Sequence, residues 1–517
     1  MKFQITPNET HRAQAEAMGV HALLDQVCCP NFAGDAVPER EYGAAFFHPA
    51  PGENLRRRIE AFRKACRIPP LVTTDMEAGP GNMITDGTRF PSMLACGRVG
   101  DEDLAWKMGK AAALEGREVG FNWSLAPCAD LLGEIEDPIV SYRSAGSDPE
   151  KVIAITSAYV RGMQEHGMAA TAKHFPGDGF SLFDQHLTTS INPLGREAWR
   201  LGSGRVFRRL IEAGVMAIMP GHIALPAFDD ADARGLFPPA TLSRKLMIDL
   251  LRGELGFGGL VVSDAINMGG VVNYLNYWDA CAAFFERGGD CLLFPKMDGR
   301  FYDEMERRLE SGLLTLPTLR HRAARILALK SQMGLGGGTG APPDAADRGA
   351  HAAWAKEMAV RAVEVVRDRP ATLPLGIPPG SKILHLVLTN DLAANQKILS
   401  RFTELLRARH GGVEELIDPG PDRLFAEVGE GRWDAIICSI GNGASYGVNV
   451  IRLHGAVARN MMQGWMRLGT PVVFISHFHP YVHAEYEAAM DTVINTYRST
   501  EPSLERVIEL LFGKPVG

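Results

Sequence analysis

Short apolar runs alternate with longer amphipathic stretches over the first two thirds of the chain. This alternation is typical of βα units around a parallel sheet, because each buried strand is followed by a helix that covers the sheet. The predicted strands are ALLDQVCC near residue 22, PLVTTD ending at Asp75, FNWSLAP from Phe121, AATAKHF ending at Phe175, VMAIMPGH ending at His222, GLVVSD ending at Asp264 and CLLFP from Cys291. The pattern predicts an α/β protein whose first part is a (β/α) barrel.

A segment rich in glycine, alanine and proline interrupts this pattern at roughly residues 334–350, where the chain reads GLGGGTGAPPDAADRGA. Such a composition, with few large apolar side chains, is typical of a linker. Beyond it, a helical pattern and the strand-like runs KILHLVLT, DAIICSI, PVVFIS and DTVINTY predict a second, smaller α/β domain. We therefore predict a barrel domain over 1–333, a linker over 334–350 and a C-terminal α/β domain over 351–517.

Composition and charge narrow the class of protein. Hydrophobic residues make up 46% of the chain and charged residues 22%, which excludes a mainly disordered protein. The net charge of −7 comes with no long block of either sign, so no nucleic-acid partner is expected. Because no apolar run approaches the ~18 residues of a membrane helix and the first residues lack a secretory apolar region, we expect a cytoplasmic protein without membrane contact.

The cysteines and histidines do not form a complete metal-ligand pattern. The eight cysteines show no CxxC or Cys/His zinc spacing, so we expect them to be reduced and mostly buried. The segment HFHPYVH, with His477, His479 and His483, follows a predicted strand but supplies only a partial ligand set. No metal site is predicted.

Most predicted strands end in a polar or charged residue that is followed by glycine or proline. A strand that is buried on both faces is normally apolar throughout, so these polar ends need another explanation. In a (β/α) barrel the carboxyl ends of the strands form the active-site mouth. We therefore expect candidate site residues at these strand ends.

The segment AKHFPGDGFSLFDQH, residues 172–186, carries the longest set of candidate residues. Lys173 and His174 lie at a predicted strand end and can both donate hydrogen bonds into the mouth. Asp184 and His186 can act as a dyad, in which the carboxylate fixes the imidazole tautomer and the other ring nitrogen exchanges a proton with a leaving group. An isolated Asp-x-His in a loop is common without catalysis, so this pair does not define a site by itself.

The segment GFGGLVVSDAINMGG, residues 256–270, delivers Asp264 to the end of another predicted strand. A carboxylate at that point can attack an electrophilic carbon. It can equally serve as the N-cap of the next helix, which would place it at the same position in the sequence. These residues alone leave both interpretations open.

Taken together, these segments resemble glycoside hydrolase family 3, in particular its β-N-acetylglucosaminidase branch. The resemblance rests on KHFPGDG with the downstream Asp-x-His, on SDAINM and on ATLSRKLMIDLLRGELGFGGLVVSD, with support from TTDMEAGPGN, FNWSLAPCAD and SYRSAGSDP. It runs from about residue 10 to 330, and the C-terminal part is similar to the second domain of two-domain members. The resemblance implies a TIM-type (β/α) barrel followed by a smaller α/β sandwich domain.

The resemblance also implies a retaining double displacement through a glycosyl-enzyme intermediate. Asp264 occupies the position of the family's nucleophile, and His186 with Asp184 matches the acid/base dyad of the branch. Most retaining enzymes use two carboxyl groups. A neutral imidazole base does not repel an incoming anion as a second carboxylate would, so phosphate can compete with water as the acceptor.

Further positions match the family's substrate contacts. Asp75 matches the carboxylate that accepts hydrogen bonds from sugar hydroxyls, Arg143, Lys173 and His174 match the donors around the same ring, and Met268 matches an apolar contact. From the residues alone, Asp75 could instead cap a helix or bond a loop. Arg143 could belong to a surface ion pair worth under ~1 kcal/mol.

The chain departs from the family pattern at three points. Residues 75–80 read DMEAGP, so Pro80 stands where the branch often has an arginine near the acyl group of the substrate. Asp178 replaces a usual histidine and is expected to contact the substrate, and Ala265 replaces an acidic residue that often follows the nucleophile. These departures affect the identity of the sugar more than the class of reaction.

The main hypothesis from the sequence is an exo-acting retaining β-glycosidase for terminal β-N-acetylglucosaminides or a related amino sugar. The first alternative is a β-glycoside phosphorylase that uses the same intermediate, and the second is a catalytically weak relative that only binds a sugar. The expected partner is a small glycan or amino-sugar glycoside. No cofactor is expected, and the sequence is compatible with an oligomer.

Overall fold

The computed structural model describes residues 1–335, 345–444 and 446–513. The chain divides into two compact units, the first made of Met1–Arg89 and Gly100–Ala352 and the second of Phe90–Val99 and Ala353–Gly517. Residues 90–99, which the sequence pattern placed in the barrel, thus belong to the second unit. A helix that begins at Arg348 lies partly within the predicted linker, and linker residues 336–344 fall outside the described residues.

The strands of the first unit are short. They are β1 Cys28–Cys29, β2 Asn31–Phe32, β3 Ala44–Phe47, β4 Leu71–Thr74, β5 Trp123–Ser124, β6 Thr171–Phe175, β7 Ser190–Ile191, β8 Ala217–Pro220, β9 Ile223–Ala224, β10 Leu260–Val261 and β11 Leu292–Leu293. Strands β3, β4, β6 and β8 are buried along their whole length, as expected for strands covered on both faces.

These strands form a closed parallel ring. Parallel pairing links β2 to β3, β3 to β4, β4 to β5, β6 to β8 and β8 to β10, and β11 pairs with β1. Single parallel bridges join the remaining neighbours, Trp123 to Ala169 and Val262 to Cys291. Since β1 and β2 are consecutive pieces of one strand, the ring is a TIM-type (β/α) barrel, and the predicted fold is confirmed.

Helices connect most of the ring strands on the outside. They are Glu9–Glu16, Val20–Gln26, Gly52–Ala65, Glu102–Val119, Pro149–Glu165, Arg196–Leu201, Ser203–Glu212, Tyr277–Glu286, Gly299–Glu310 and Leu316–Gln332, with a π-helix at Lys245–Glu254 and a short helix at Gly269–Val272. The run ALLDQVCC was predicted as a strand, but only its last two residues are one, because Val20–Gln26 is helical. The pattern also missed β3.

The second unit is built on a six-stranded sheet. Its strands are β12 Glu364–Asp368, β13 Ile383–Leu388, β14 Val413–Ile417, β15 Ala435–Ile440, β16 Val472–Ser476 and β17 Thr492–Asn495, in the order β12-β17-β16-β15-β13-β14. Only β12 runs antiparallel to its neighbour. The helices of this unit are Met93–Val99, Leu392–Arg409, Pro421–Gly429, Gly455–Ala458, Val482–Glu485 and Glu501–Phe512, and the helix Arg348–Ala362 belongs to it from Ala353 onward.

Alternate residues of the second sheet enter two separate cores. Leu384 and Ile436 pack in one core with Trp465, whereas Ile383 and Ile437 pack in the other with Phe402. A sheet that buries both faces against helices makes this unit the α/β sandwich that the resemblance implied. None of the helices in the described ranges combines the length and apolar character that a bilayer crossing requires.

Candidate active site

The predicted site residues gather at the carboxyl ends of the barrel strands. Asp75 follows β4 directly, Lys173 and His174 lie within β6, and Asp264 lies three residues beyond the end of β10. Parallel strands present their carboxyl ends at the same end of a barrel, where loops can bring side chains from distant parts of the sequence together. The positions predicted from the sequence therefore share the barrel mouth.

Three of the predicted site residues form one charged network around Glu77, and they are Asp75, Lys173 and Arg143. The Nζ atom of Lys173 lies 2.7 Å from a carboxylate oxygen of Asp75 and 2.7 Å from one of Glu77. Arg143 donates two hydrogen bonds to Glu77, through Nε and Nη2, each 2.8 Å long. This bidentate geometry fixes the guanidinium plane. The alternative in which Arg143 forms a surface ion pair does not fit, because the side chains of Arg143 and Glu77 are only 22% and 17% exposed.

The network keeps Glu77 and Lys173 charged. Burial acts to raise the pKa of Glu77, but the charges of Arg143 and Lys173 outweigh it and hold that pKa well below the usual value. Burial likewise acts to lower the pKa of Lys173, whereas Asp75 and Glu77 raise it to a value above the ordinary one. Asp75 keeps 35% of its side chain exposed and can accept hydrogen bonds from a ligand. Sequence reasoning did not assign Glu77 a role.

His174 is held between two carboxylates. Its Nδ1 atom bonds to Asp130 Oδ2 at 2.7 Å, and its backbone amide donates to Asp130 Oδ1 at 3.0 Å. Its Nε2 atom lies 4.0 Å from Oδ2 of Asp264. Asp130 is fully buried, and sequence reasoning missed it although it ends the segment FNWSLAPCAD at residues 121–130. A polar residue shortly after β5 was the available signal.

Asp264 is ionised despite its burial. Burial acts to raise its pKa, but the potential of His174, His222 and His186 lowers that pKa below the usual value. Its Oδ1 atom accepts the backbone amide of Ala265 at 2.8 Å. The alternative in which Asp264 caps the next helix is wrong, because Met268 is the N-cap of the helix Gly269–Val272. Met268 is 7% exposed.

Asp184 and His186 form the expected pair. The imidazole Nδ1 and the backbone amide of His186 both bond to the same oxygen of Asp184, at 2.7 and 2.8 Å. The Asp184 side chain is fully buried, whereas 30% of the His186 side chain is exposed. An ionised carboxylate at Nδ1 selects the tautomer with the proton on that nitrogen and supports the imidazolium. The Nε2 atom is thus the one that can exchange a proton.

The loop that carries this pair is bonded to the loop after Asp264. The amide of Gly269 donates to the carbonyl of His186 at 2.7 Å, and the amide of Gly270 donates to that of Gln185 at 3.1 Å. The approach requires glycine, since a Cβ atom on Gly269 would lie 2.2 Å from the Leu187 carbonyl oxygen. The two loops therefore hold Asp264 and His186 in a fixed relation.

Gln185 and His222 support this arrangement, and sequence reasoning missed both roles. The Gln185 side chain accepts the backbone amide of His222 at 2.8 Å and donates to Asp178 at 3.0 Å. The imidazole of His222 bonds to Thr241 at 2.9 Å and to the carbonyl of Ala265 at 3.0 Å. Burial is the main influence on the pKa of His222 and lowers it below the usual value.

Asp178 is buried beside Asp130, and its backbone amide donates to Asp130 Oδ1 at 2.8 Å. It is 2% exposed, and it accepts hydrogen bonds from Gln185, from Ser190 at 3.3 Å and from the amide of Gly179 at 3.1 Å. Burial, with the charges of Asp137 and Asp130, raises the pKa of Asp178 well above its usual value. Substrate contact by Asp178 stays a prediction, while the structure shows it bonded to Gln185 of the dyad loop.

Within the described part of the chain, one group of three potential metal ligands converges: Cys128, Asp130 and His174. Burial raises the pKa of the Cys128 thiol well above its usual value, so the thiol keeps its proton. Asp130 and His174 are bonded to each other.

The second histidine-rich candidate was the HFHPYVH segment. There, His477 bonds to the side chains of Ser499 at 2.8 Å and of Ser439 at 3.0 Å.

The mouth of this parallel barrel holds an ionised aspartate beside an Asp-His pair. Such a site provides a nucleophile and an acid/base group, as an enzyme requires. The sequence profile of the glycosyl hydrolase family 3 N-terminal domain matches residues 46–329. The chain belongs to glycosyl hydrolase family 3 and is a glycoside hydrolase by class. The family predicted from the motifs is confirmed.

Three similar proteins illustrate the relationship. The chain is 29% identical to a beta-N-acetylglucosaminidase/beta-glucosidase of Cellulomonas fimi, over 97% of this chain and 93% of that protein. It is 35% identical to a beta-hexosaminidase of Tolumonas auensis, over 46% of this chain and 70% of the relative. The solved structure of the beta-glucoside phosphorylase BglX bound to 2FGlc has a TM-score of 0.89 and 28% identity, covering 99% of this chain and 96% of that one.

Proposed function

We propose that the protein is a retaining exo-β-glycosidase that removes a terminal β-linked N-acetylglucosamine, or a closely related amino sugar, from a small glycan. One observation carries the proposal: the ionised carboxylate of Asp264 and the Asp184–His186 pair sit on loops joined by the 2.7 Å bond from Gly269 to His186. A nucleophile and a proton donor held in fixed relation are the two groups that double displacement requires.

In the first step, Asp264 attacks the anomeric carbon and forms a glycosyl ester while the bond to the leaving oxygen breaks. His186 donates the Nε2 proton to that oxygen, and Asp184 stabilises the imidazolium beforehand. In the second step, neutral His186 takes a proton from water, the resulting hydroxide attacks the anomeric carbon, and the Asp264 carboxylate is released. Two inversions at the same carbon retain its configuration.

The charged network is proposed to bind the non-reducing sugar. Asp75 accepts from sugar hydroxyls, and Lys173, Arg143 and His174 donate to them. The contacts of these residues support the roles, because Glu77 and Asp130 hold the donors in place before the sugar arrives. A site whose polar groups are already oriented loses less entropy on binding.

The choice of an amino sugar rests on the similarity of the chain to the beta-N-acetylglucosaminidase/beta-glucosidase and beta-hexosaminidase relatives. Pro80, at the position where the branch often has an arginine, is buried at the start of the 3₁₀ helix Pro80–Asn82. The residues around the acyl group of the substrate therefore differ from those that the resemblance implies. A related sugar, rather than N-acetylglucosamine itself, is compatible with this departure.

A β-glycoside phosphorylase is the second candidate, and the similarity to the 28% identical beta-glucoside phosphorylase favours it. The chemical nature of the proposed base, the His186 imidazole, also supports this candidate. A neutral imidazole at His186 does not repel phosphate, and 30% of its side chain is exposed to an incoming acceptor. Phosphate would attack the same glycosyl ester and release a sugar 1-phosphate with retained configuration.

We further propose that the enzyme works in the cytoplasm on small soluble glycans. The eight cysteines are free thiols and seven of them are buried, as expected where thiols stay reduced.

A panel of aryl β-glycosides tests both candidates in one experiment. Glucosaminides and N-acetylated, neutral and acidic sugars are compared with and without phosphate, and free sugar is measured together with sugar 1-phosphate. Fastest release of free N-acetylglucosamine supports the hydrolase, and a sugar 1-phosphate that grows with phosphate supports the phosphorylase. Sugar binding without turnover across the panel would contradict both and leave the sugar-binding alternative.

A further inference from the structure

Three large apolar side chains stand exposed in the loop that carries the Asp184–His186 pair. Leu182 is 54% exposed, Phe183 58% and Leu187 44%. Between them, Asp184 and Gln185 turn inward and are fully buried. Exposed large apolar residues are normal when scattered singly, but a cluster beside a functional group marks a binding surface.

This exposure does not come from a detached loop. Leu187 donates its amide to the Asp184 carbonyl at 2.9 Å, which closes a turn around the pair. Gln185 is bonded to His222 and Asp178, and the side chain of Asn273 donates to the Leu187 carbonyl at 3.0 Å. The apolar side chains are thus presented by a backbone fixed on both sides, which reduces the entropy lost when a ligand covers them.

We infer that Leu182, Phe183 and Leu187 form a leaving-group subsite, and that the enzyme favours β-glycosides whose leaving group carries an apolar alkyl or aryl portion. The inference rests on the proposed function, because His186 is taken to protonate the leaving oxygen. That oxygen must then lie within hydrogen-bond reach of the ring. Its substituent begins beside residues adjacent in sequence to Asp184 and His186, where apolar surface is available for burial.

A series of β-glycosides with one sugar and leaving alcohols from methanol to octanol tests this subsite. For the wild type we expect kcat/KM to rise roughly tenfold or more from the methyl to the octyl glycoside, because each added methylene buries apolar area. In Phe183→Ser and Leu182→Ser, the octyl-to-methyl ratio of kcat/KM should fall about fivefold or more. The matched control is Leu201→Ser, since Leu201 is 61% exposed at the end of the helix Arg196–Leu201.

Several outcomes would overturn the subsite. Equal kcat/KM across the series in the wild type would do so, as would variants that lower the methyl and octyl values by the same factor. A change of oligomeric mass in Phe183→Ser without any change of the ratio would assign the patch to a second copy of the chain. If the wild type releases alcohol from no glycoside at all, the proposed function fails as well. Turnover without chain-length preference contradicts the subsite alone.

Discussion

The Nε2 atom of His174 lies 4.0 Å from Oδ2 of Asp264, while Asp130 holds the opposite ring nitrogen at 2.7 Å. The imidazole is therefore oriented toward the proposed nucleophile by a buried carboxylate 44 residues away in the sequence. An oriented imidazole can favour the ionised form of a neighbouring aspartate. His174 thus has a second role beside the sugar contact expected from the motif.

Replacing His174 by asparagine should move the acid limb of the kcat/KM profile to higher pH. Burial acts to raise the pKa of Asp264, and His174 is the largest of the influences that lower it. Without the imidazole, this pKa rises, and the ionised nucleophile is lost at a higher pH on acidification. His21→Asn, at an exposed position, is the control. An unchanged acid limb in His174→Asn would count against the electrostatic role.

Substitution of His186 by alanine should affect substrates according to their leaving groups. Glycosides with poor leaving groups should lose about 10²- to 10⁴-fold in kcat/KM, because departure then lacks a proton donor. Dinitrophenyl glycosides need no such donor and should lose far less in this first step. Asp184→Ala should act in the same direction, since it removes the carboxylate that supports the imidazolium. The measurement is kcat/KM against leaving-group acidity, and a uniform loss would refute the acid role.

The glycine at 269 should be intolerant of a methyl group. In Gly269→Ala the new Cβ would lie 2.2 Å from the Leu187 carbonyl oxygen, so the dyad loop must shift. We expect a loss of about 1–3 kcal/mol in the free energy of unfolding and a marked fall in kcat. Gly299→Ala is the matched control, because nothing lies within 4 Å of its Cβ position. Urea unfolding and activity assays that show no difference between the two variants would exclude the proposed loop contact.

Lys330 should limit stability in a pH-dependent way. It is 3% exposed, its Nζ atom has no hydrogen-bond partner among the described residues, and burial lowers its pKa to about 7. The unfolded chain binds this proton up to about pH 10.4, so stability rises with pH between the two values. Lys330→Met should stabilise the protein on the order of 4 kcal/mol below pH 7, with a gain that shrinks toward pH 10.

Chemical unfolding at pH 6 and pH 9.5 measures this difference. Lys151→Met serves as the control, because Lys151 is exposed. A gain in Lys330→Met that is equal at both pH values would show that the amine is charged throughout.

The sequence reveals the site residues that lie within compact motifs. Asp184 and His186 are two residues apart, and Lys173 and His174 precede them in the same segment, so local spacing was sufficient. Asp130 and His222 could not be assigned, because each acquires its role only when folding brings distant strand ends together. Their segments end in a polar residue as most of the predicted strands do, and this shared feature does not single them out.

The elements of the fold likewise differ in how well the sequence predicts them. The apolar run near residue 22 is too short for its periodicity to separate a helix from a strand, and it is largely the helix Val20–Gln26. The strand Ala44–Phe47 gave too brief a signal. Residues 90–99 belong to the second unit through long-range contacts, which no local pattern encodes.

Trapping of the glycosyl-enzyme tests the central claim most directly. The protein is incubated with a fluorinated β-glycoside of the preferred sugar, which forms the ester faster than it is released, and is then digested for peptide mass spectrometry. We predict one added sugar per chain, attached to Asp264, and no label in Asp264→Asn. A label on another residue, or turnover by Asp264→Asn at the wild-type rate, would contradict the account.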